Sequence, residues 1–326
     1  MSTGDTAMEQ NAVARFWLKV DKTVRHHAKK TLTDLRGAWW DRTRLRAERP
    51  VFVVSGSRSG TQMLYKTLTE SSAIGSLNRE IYAVWDRLHH PAHKDWDSHV
   101  LDASDARDSD RDLITRYFYA HTGRTRFVDK NNQHGLAVPY LHALFPDATF
   151  VYIKRNPGDT LNSMIEGWHR PERFGTWARD LPAQVAVDGG RLTRWCHYLP
   201  RGWRDYLNAP VEEVCAFQYE AIHRDILNAK AAIPSGQWIE VFYEDIVRNP
   251  TDGLFDIFDR LDLPFDEGIR AHAASLLDKP YDPLFEIRLE KWRQHAHAGK
   301  IERVLPSLQR IAADMGYATD TRGAAA

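Results

Sequence analysis

The stretch that decides the fold runs from Pro50 to Leu68 and reads P-V-F-V-V-S-G-S-R-S-G-T-Q-M-L-Y-K-T-L. Val51 to Val54 form a short apolar run rich in β-branched residues, which is typical of a parallel strand buried on both faces. A small, hydroxylated segment from Ser55 to Thr61 follows, and the apolar spacing after it indicates a helix. The sequence therefore predicts a strand, a tight loop and a helix.

A loop of this kind forms an anion site, because the first N–H groups of the following helix lack carbonyl partners. Gly60 is followed by Thr61 and Gln62, whereas a Walker A loop requires Lys and Ser or Thr there. Arg58 is the cation inside the loop, and a planar guanidinium suits the oxyanions of a phosphosulfate. A glycine-rich turn between core elements explains this stretch alone equally well.

A second stretch, Thr149 to Ser163, has the same plan and reads T-F-V-Y-I-K-R-N-P-G-D-T-L-N-S. The apolar strand run is followed by Arg155 and a turn, and Pro157 suits the first turn of the next helix. Ser163 lies about two turns along that helix. We therefore expect Arg155 and Ser163 to hold one phosphate together.

Four segments, taken in order, resemble the sulfotransferases that use 3′-phosphoadenosine 5′-phosphosulfate (PAPS). They are Ser57 to Thr61, Arg155 to Pro157 with Ser163, Val241 to Asp245 with Asn249-Pro250 and Leu261 to Pro264, and Lys291 to Arg293 before Gly316-Tyr317. Each motif is weak alone, but the set is specific. It resembles most the branch that includes bacterial, carbohydrate and tyrosylprotein sulfotransferases.

The resemblance implies an α/β fold, with a central parallel sheet flanked by helices, related to the P-loop fold. It also implies PAPS as co-substrate, PAP as product, and no metal in the reaction. The residues that it assigns to the nucleotide are Arg58, Ser59, Gly60, Thr61, Gln62, Arg155, Ser163, Tyr243, Lys291 and Trp292. Gln62 and Met63 depart from the family's T-T-W or T-T-L, so the residue that stacks on adenine is left open.

The resemblance also implies catalytic roles, in which Arg58 takes part beside Lys130, Glu80 and His134. Lys130, at the end of a predicted strand, would neutralise charge on the bridging oxygen, unless it is an exposed strand-end lysine. Glu80 matches the position of the catalytic Glu in the branch named above. His134 is the alternative base, although phenol and steroid sulfotransferases carry their His where this chain has Asn132. A base elsewhere in the chain is the third possibility.

The remaining pattern alternates strands and helices, which predicts βαβ crossovers and a parallel sheet. Further strands are predicted at Ala73 to Asn78, Arg126 to Asp129 and Gln237 to Tyr243, and further helices at Leu136 to Phe145, Leu192 to Leu207, Val211 to Ala232 and Thr251 to Leu261. His89 to Asp112 is expected to be a mobile surface insertion and Gly167 to Gly190 an irregular lid. We expect these two segments to build the acceptor pocket.

Composition favours one large domain, residues 49–326, preceded by an extension, residues 1–48. The 326 residues are 43% hydrophobic and 27% charged, with a formal net charge of zero, so general nucleic-acid affinity is not indicated. Two cysteines suggest neither a disulfide framework nor a zinc site. The sequence shows no membrane-spanning run and no signal-peptide pattern, so a soluble cytoplasmic protein is expected.

The extension has a helical, basic and aromatic pattern over residues 13–48. Such a helix suits a peripheral contact with an anionic membrane or an acidic partner. Alternatively, it packs its aromatic residues on the domain or on a second subunit.

The expected function is transfer of the sulfuryl group from PAPS to a hydroxyl, rather than an amine, of a small-molecule, glycan or lipid head-group acceptor. One alternative is a nucleotide kinase or NTPase on a P-loop scaffold. The other is a non-catalytic nucleotide-binding protein that is recruited through its N-terminal helix.

Overall fold

Four short strands form the centre of the protein in a computed structural model that describes residues 25–278 and 287–317. The strands are β1 (Val51–Val54), β2 (Val128–Lys130), β3 (Thr149–Lys154) and β4 (Trp238–Phe242). They form one parallel sheet in the order β2-β1-β3-β4. All residues of β1 and β3 are buried, so the prediction of strands covered on both faces is confirmed.

Helices surround this sheet. Residues 25–43 form α1. The others are α2 (Thr61–Thr69), α3 (Tyr82–His89), α4 (Asp108–Thr122), α5 (Val138–Leu144), α6 (Pro157–Trp168), α7 (Pro171–Phe174), α8 (Val187–Gly190), α9 (Val211–Lys230), α10 (Tyr243–Arg248), α11 (Pro250–Arg260), α12 (Glu267–Ala274), α13 (Ala298–Val304) and α14 (Gln309–Asp314). Short 3₁₀ turns include His134–Leu136, Trp203–Tyr206 and Lys291–Gln294. The predicted α/β class is therefore confirmed.

The two faces of the sheet are covered by different helices. Helices α2, α10, α11 and α12 pack on the face that presents Val51, Val53 and Ile153. Helices α3, α4, α5 and α9 pack on the face that presents Phe52 and Tyr152. Helix α6 packs on α9 in a third cluster with α13 and α14. The chain therefore leaves neighbouring strands β1 and β3 toward opposite faces, which opens a crevice at their carboxyl ends.

The predicted strand from Ala73 to Asn78 is wrong. In the structure this segment makes one isolated β-bridge, between Gly75 and Phe127. Ser76 Oγ accepts the Asn78 N–H at 3.1 Å, and Asn78 has a φ of 56°. The segment therefore turns away after one residue of pairing.

The predicted helix from Leu192 to Leu207 is also wrong, because most of this segment is irregular. His197 and Gly202 have positive φ values, and Pro200 lies between them. The Gln218 side-chain amide donates to the carbonyl oxygens of Cys196 and Tyr198, both at 2.8 Å. Hydrogen bonds from α9 thus replace those that a helix would have made.

The segment from His89 to Asp112 is packed against the protein, unlike the predicted mobile insertion. Trp96, Val100 and Leu101 are each 8% exposed. The buried His99 accepts the Leu199 N–H through its Nδ1 at 2.8 Å. The apolar residues of this segment follow neither a helical nor a strand period, yet they hold the segment against the rest of the domain at several points.

Helix α1 packs its C-terminal end on the domain. Trp40 is 2% exposed, and Arg116 of α4 donates from Nε and Nη2 to the two Asp41 carboxylate oxygens at 2.8 and 2.9 Å. Three large apolar side chains that precede Trp40 on α1 are exposed: Leu32, Leu35 and Trp39. Residues 1–24, and with them part of the predicted basic helix, lie outside the described residues. No helix in the described ranges is long and apolar enough to cross a membrane.

Asp129 and His134 form a buried polar pair beneath the sheet edge. Asp129 is fully buried and its Oδ2 accepts the Trp85 indole N–H at 2.8 Å, while His134 Nε2 lies 3.6 Å from the same oxygen. Burial raises the pKa of Asp129 to about 7 and lowers the pKa of His134 to about 3. Both side chains are therefore neutral in the native protein between about pH 3 and about pH 7.

We expect Asp129→Asn to reduce the pH dependence of stability. Unfolded Asp releases its proton near pH 4 but native Asp129 near pH 7, so wild-type stability falls as the pH rises between these values. Asn does not titrate and can still accept the indole N–H. The stability of Asp129→Asn relative to wild type should therefore rise from pH 4.5 to 7 in urea unfolding. The exposed Asp256→Asn is the control, and a pH-independent difference for Asp129→Asn contradicts the prediction.

Candidate active site

The loop between β1 and α2 has the shape that the sequence predicts for an anion site. Arg58 and Gly60 both have left-handed backbone conformations, with φ values of 68° and 89°. A Cβ on Gly60 would lie 2.2 Å from the Tyr243 ring, so only glycine fits there. Gly60 directly precedes α2, whose first amides therefore face the end of the loop.

Several polar atoms of this region have no hydrogen-bond partner within the described residues. They are the hydroxyl oxygens of Ser57 and Ser59 and the Nε of Arg155, all of them buried. Buried polar groups are nearly always paired in native proteins. Unpaired hydroxyls and a guanidinium N–H beside a helix start fit an anionic ligand with several oxygens.

The two arginines meet at one place. Arg155 Nη1 donates to the Arg58 carbonyl oxygen at 2.9 Å, and Arg58 Nε donates to Ser163 Oγ at 3.0 Å. The Arg155 guanidinium lies over the Tyr243 ring, 4.4 Å from its centroid. The structure thus brings together Arg58, Arg155, Ser163 and Tyr243, which come from three separate parts of the chain.

Helix α6 begins as predicted and is firmly capped. Pro157 occupies its first turn, and Asn156 Oδ1 accepts the Asp159 N–H at 2.8 Å. The Arg155 carbonyl oxygen, just before the helix, accepts the Tyr219 hydroxyl of α9 at 2.9 Å. These bonds fix the backbone of Arg155 between the sheet and α9.

Both arginines line a cavity of about 770 Å³ at the carboxyl ends of the strands. Loop residues Gly60, Thr61 and Gln62 also line it, together with Ser163, Tyr243 and Lys291. Eight cationic side chains border it within the described residues: Arg58, Lys66, Arg79, Lys130, Arg155, Arg173, Arg179 and Lys291. Its two carboxylates there are Glu80 and Asp86, so the cavity suits a polyanion.

Glu80 and Lys130 form an ion pair on the wall of this cavity. Lys130 also donates to Asn132 Oδ1 at 2.9 Å, and Asn132 donates to the Tyr82 hydroxyl at 3.0 Å. Glu80 Oε2 is buried and has no hydrogen-bond partner among the described residues. The pair therefore presents a lysine and a carboxylate side by side, next to the anion loop.

Three of the predicted site residues lie outside the cavity lining: Ser59, which is fully buried in the loop, His134 and Trp292. His134 is buried, with its ring 4.9 Å from the Trp85 ring, and belongs to the pair with Asp129. Trp292 packs on the start of α6, where a Cβ on Gly158 would lie 2.4 Å from its indole Nε1. Trp292 therefore supports the wall of the site from behind.

Sequence reasoning missed several residues of the cavity. Asp86 lies one helical turn after Tyr82 on α3, and burial raises its pKa. The spacing of Tyr82 and Asp86 on one helix face, close after Glu80, was the available signal. Lys66 and Arg79 gave none, because their inclusion depends on how the loops fold, whereas Arg173 lies in the segment Gly167 to Gly190 that was expected to build the acceptor pocket.

Comparisons with known proteins agree with this geometry. Residues 50–228 match the sequence profile of the sulfotransferase family. No curated protein matches the chain significantly in sequence. The crystal structure of sulfotransferase STF9 from Mycobacterium avium is similar at a TM-score of 0.53 and 16% identity, covering 86% of this chain and 80% of that chain. The sulfotransferase domain from the curacin biosynthetic pathway gives 0.49 and 17%, covering 84% and 99%.

The likeness to STF9 supports the fold of the central sheet and its helices. The profile match extends from the start of β1 nearly to the end of α9 and spans more than half of the 326 residues. The motifs that carry Arg58 and Arg155 lie in this span, and both arginines line the cavity. The chain therefore belongs to the sulfotransferase family.

Proposed function

We propose that the protein transfers the sulfuryl group of PAPS to a hydroxyl of an acceptor. The observation that carries this proposal is the meeting of Arg58 and Arg155 at one cavity, where one nucleotide can contact both. A nucleotide with a phosphosulfate at one end and a 3′-phosphate at the other needs two anion sites. Family membership supports the same reaction class.

The donor would be held by its two charged ends. Arg58, Thr61 and the amides of Ser59 to Gln62 would bind the phosphosulfate. Arg155 and Ser163 would bind the 3′-phosphate, which distinguishes PAPS from ATP. The unpaired Nε of Arg155, which lines the cavity, fits this assignment, because a bound oxyanion would supply the missing acceptor.

Tyr243, Lys291 and Trp292 would complete the nucleotide site. Tyr243 and Lys291 line the cavity, whereas Trp292 acts through its packing on Gly158. Gln62 lines the cavity and Met63, which also borders it, is 4% exposed, so neither provides a large aromatic ring for adenine.

The reaction would be an in-line displacement at sulfur. A bond forms between the acceptor oxygen and sulfur while the bond from sulfur to the 5′-phosphate oxygen breaks, and the acceptor proton passes to Glu80. Lys130 would neutralise the charge that develops on the departing oxygen. Positioning and electrostatics dominate such group transfers, by analogy with phosphoryl transfer. His134 lies outside the cavity lining, so the geometry favours Glu80 as the base.

The acceptor would be a small molecule, glycan or lipid head group that carries a hydroxyl. Phe174, Trp177 and Tyr82 line the cavity beside Arg173 and Arg179, which suits a ring-shaped or partly anionic acceptor. Leu32 and Trp39 of α1 are exposed, so this helix would be available for a peripheral membrane or subunit contact.

We expect Arg58→Ala and Arg155→Ala each to weaken PAP binding at least ~10-fold in calorimetry, because each removes charge-assisted hydrogen bonds. Arg58→Ala should weaken PAP and 5′-AMP alike. Arg155→Ala should weaken PAP more than 5′-AMP, since AMP lacks the 3′-phosphate.

Arg248→Ala, on the exposed side of α10, is the matched control. Wild-type PAP affinity in both cavity variants overturns the proposal. Magnesium-dependent ATP turnover would favour the kinase alternative, because it is the activity that a P-loop NTPase requires.

We expect Glu80→Gln to lower the rate of transfer from labelled PAPS to acceptors in a metabolite extract by ~10²-fold or more, with PAP affinity unchanged. Asp86→Asn is the matched carboxylate variant on the same wall and should retain most activity. Loss of activity in Asp86→Asn alone would assign the base to Asp86. PAP binding without any transfer, and no effect of Glu80→Gln, would indicate a non-catalytic binding protein.

A further inference from the structure

One carboxylate and two imidazoles meet where the C-terminal part of the chain crosses α6. Glu166 lies in the last turn of α6, and His295 and His297 lie between the 3₁₀ turn Lys291–Gln294 and α13. One ligand atom from each of these three side chains lies within 4.8 Å of the other two. None of the three lines the cavity of the candidate active site.

The three ligand atoms, which lie within 4.8 Å of one another, are near enough to surround one metal ion after small side-chain rotations. Glu166 Oε1 accepts from His297 Nε2 at 2.8 Å, and the rings of His295 and His297 are 4.9 Å apart. Tetrahedral zinc with bonds of about 2.0–2.1 Å holds its ligand atoms about 3.4 Å apart. Small side-chain rotations would therefore complete a three-ligand site.

The surroundings also favour an ion. His295 Nδ1 is buried and has no hydrogen-bond partner within the described residues. Arg170 approaches the other carboxylate oxygen, Glu166 Oε2, at 3.7 Å, so Oε1 stays directed toward the imidazoles. The side chains of His297 and Glu166 are 15% and 26% exposed, which leaves a path for an ion and a water ligand.

We propose that Glu166, His295 and His297 bind one zinc ion, with water as the fourth ligand. Two imidazoles and a carboxylate suit zinc and similar divalent transition metals, whereas magnesium and calcium prefer oxygen ligands alone. The ion would not take part in sulfuryl transfer directly, because its ligands lie outside the cavity in which that reaction is proposed.

The ion would fasten the segment 290–297 along one face of α6. At the first turn of α6, the Asp159 carboxylate accepts the N–H groups of Glu290 at 2.7 Å and Trp292 at 3.2 Å. Glu166 lies seven residues later, on the same helix face. Lys291, which lines the cavity, lies between Glu290 and Trp292, and the metal would fix the same segment at its far end. Metal binding should therefore order the position of Lys291.

The test uses full-length protein without a histidine tag, stripped of metal by a chelator and titrated with Co²⁺ as a spectroscopic probe. We expect one Co²⁺ per chain, with the visible absorption of a four-coordinate site, and displacement by Zn²⁺. His295→Asn, His297→Asn and Glu166→Gln should each weaken Co²⁺ binding at least ~10-fold. Zn²⁺ should raise the Tm of the wild type but not of His297→Asn.

His169→Asn is the matched control, because the His169 ring stacks on His297 at 6.1 Å but does not belong to the triad. This variant should bind Co²⁺ as the wild type does. Co²⁺ binding that is equal in the wild type and the three ligand variants overturns the proposed site. Glu166→Gln retains a hydrogen-bond acceptor for His297, so its loss of metal is not explained by unfolding if its Tm without metal is unchanged.

The fastening role rests on the proposed nucleotide site and has a separate readout. Zn²⁺ should tighten PAP binding by the wild type and leave that of His297→Asn unchanged. Metal binding without any effect on PAP affinity would contradict the fastening role. Absence of PAP binding would contradict the sulfotransferase proposal, and the Co²⁺ titration would still decide the metal site.

Discussion

The hydrogen bond from the Arg155 guanidinium to the Arg58 carbonyl oxygen is the contact on which the site depends. It joins the loop after β1 to the loop after β3, and the bond from Arg58 to Ser163 closes the link from the other side. Two guanidinium groups that border one cavity repel each other. The carbonyl oxygen, the hydroxyl and the face of Tyr243 offset that repulsion and hold both cations at one edge of the sheet.

The order of the strands makes this contact possible. β1 and β3 are parallel neighbours, with Val54 opposite Tyr152, so their loops start side by side. The following helices α2 and α6 then diverge to different faces of the sheet. A crevice at such a point is where open α/β sheets bind ligands. The β2 strand brings Lys130 to the same edge, where it pairs with Glu80.

The sequence predicted most accurately what depends on local patterns. The bounds of β3 were predicted correctly, because a fully buried strand is a continuous apolar run that ends at turn residues. The pairing of Arg58 with Arg155 followed from two strand–loop–helix units in one parallel sheet. Residues 192–207 were misjudged because the amide of Gln218, a distant residue, satisfies the backbone that a helix would otherwise satisfy. His297 and Glu166 are 131 residues apart, and no local pattern indicates that they meet.

The uneven charge of the cavity has an energetic consequence for the whole molecule. The chain is neutral, yet eight cations and two carboxylates border one cavity within the described residues. Like charges that border one cavity repel one another, because salt screens fully only beyond the Debye length of about 8 Å at physiological ionic strength, so the protein without ligand carries a local self-repulsion. Dissolved salt relieves it by screening. A polyanion relieves it by neutralisation, and therefore stabilises the native state beyond the sum of its individual contacts.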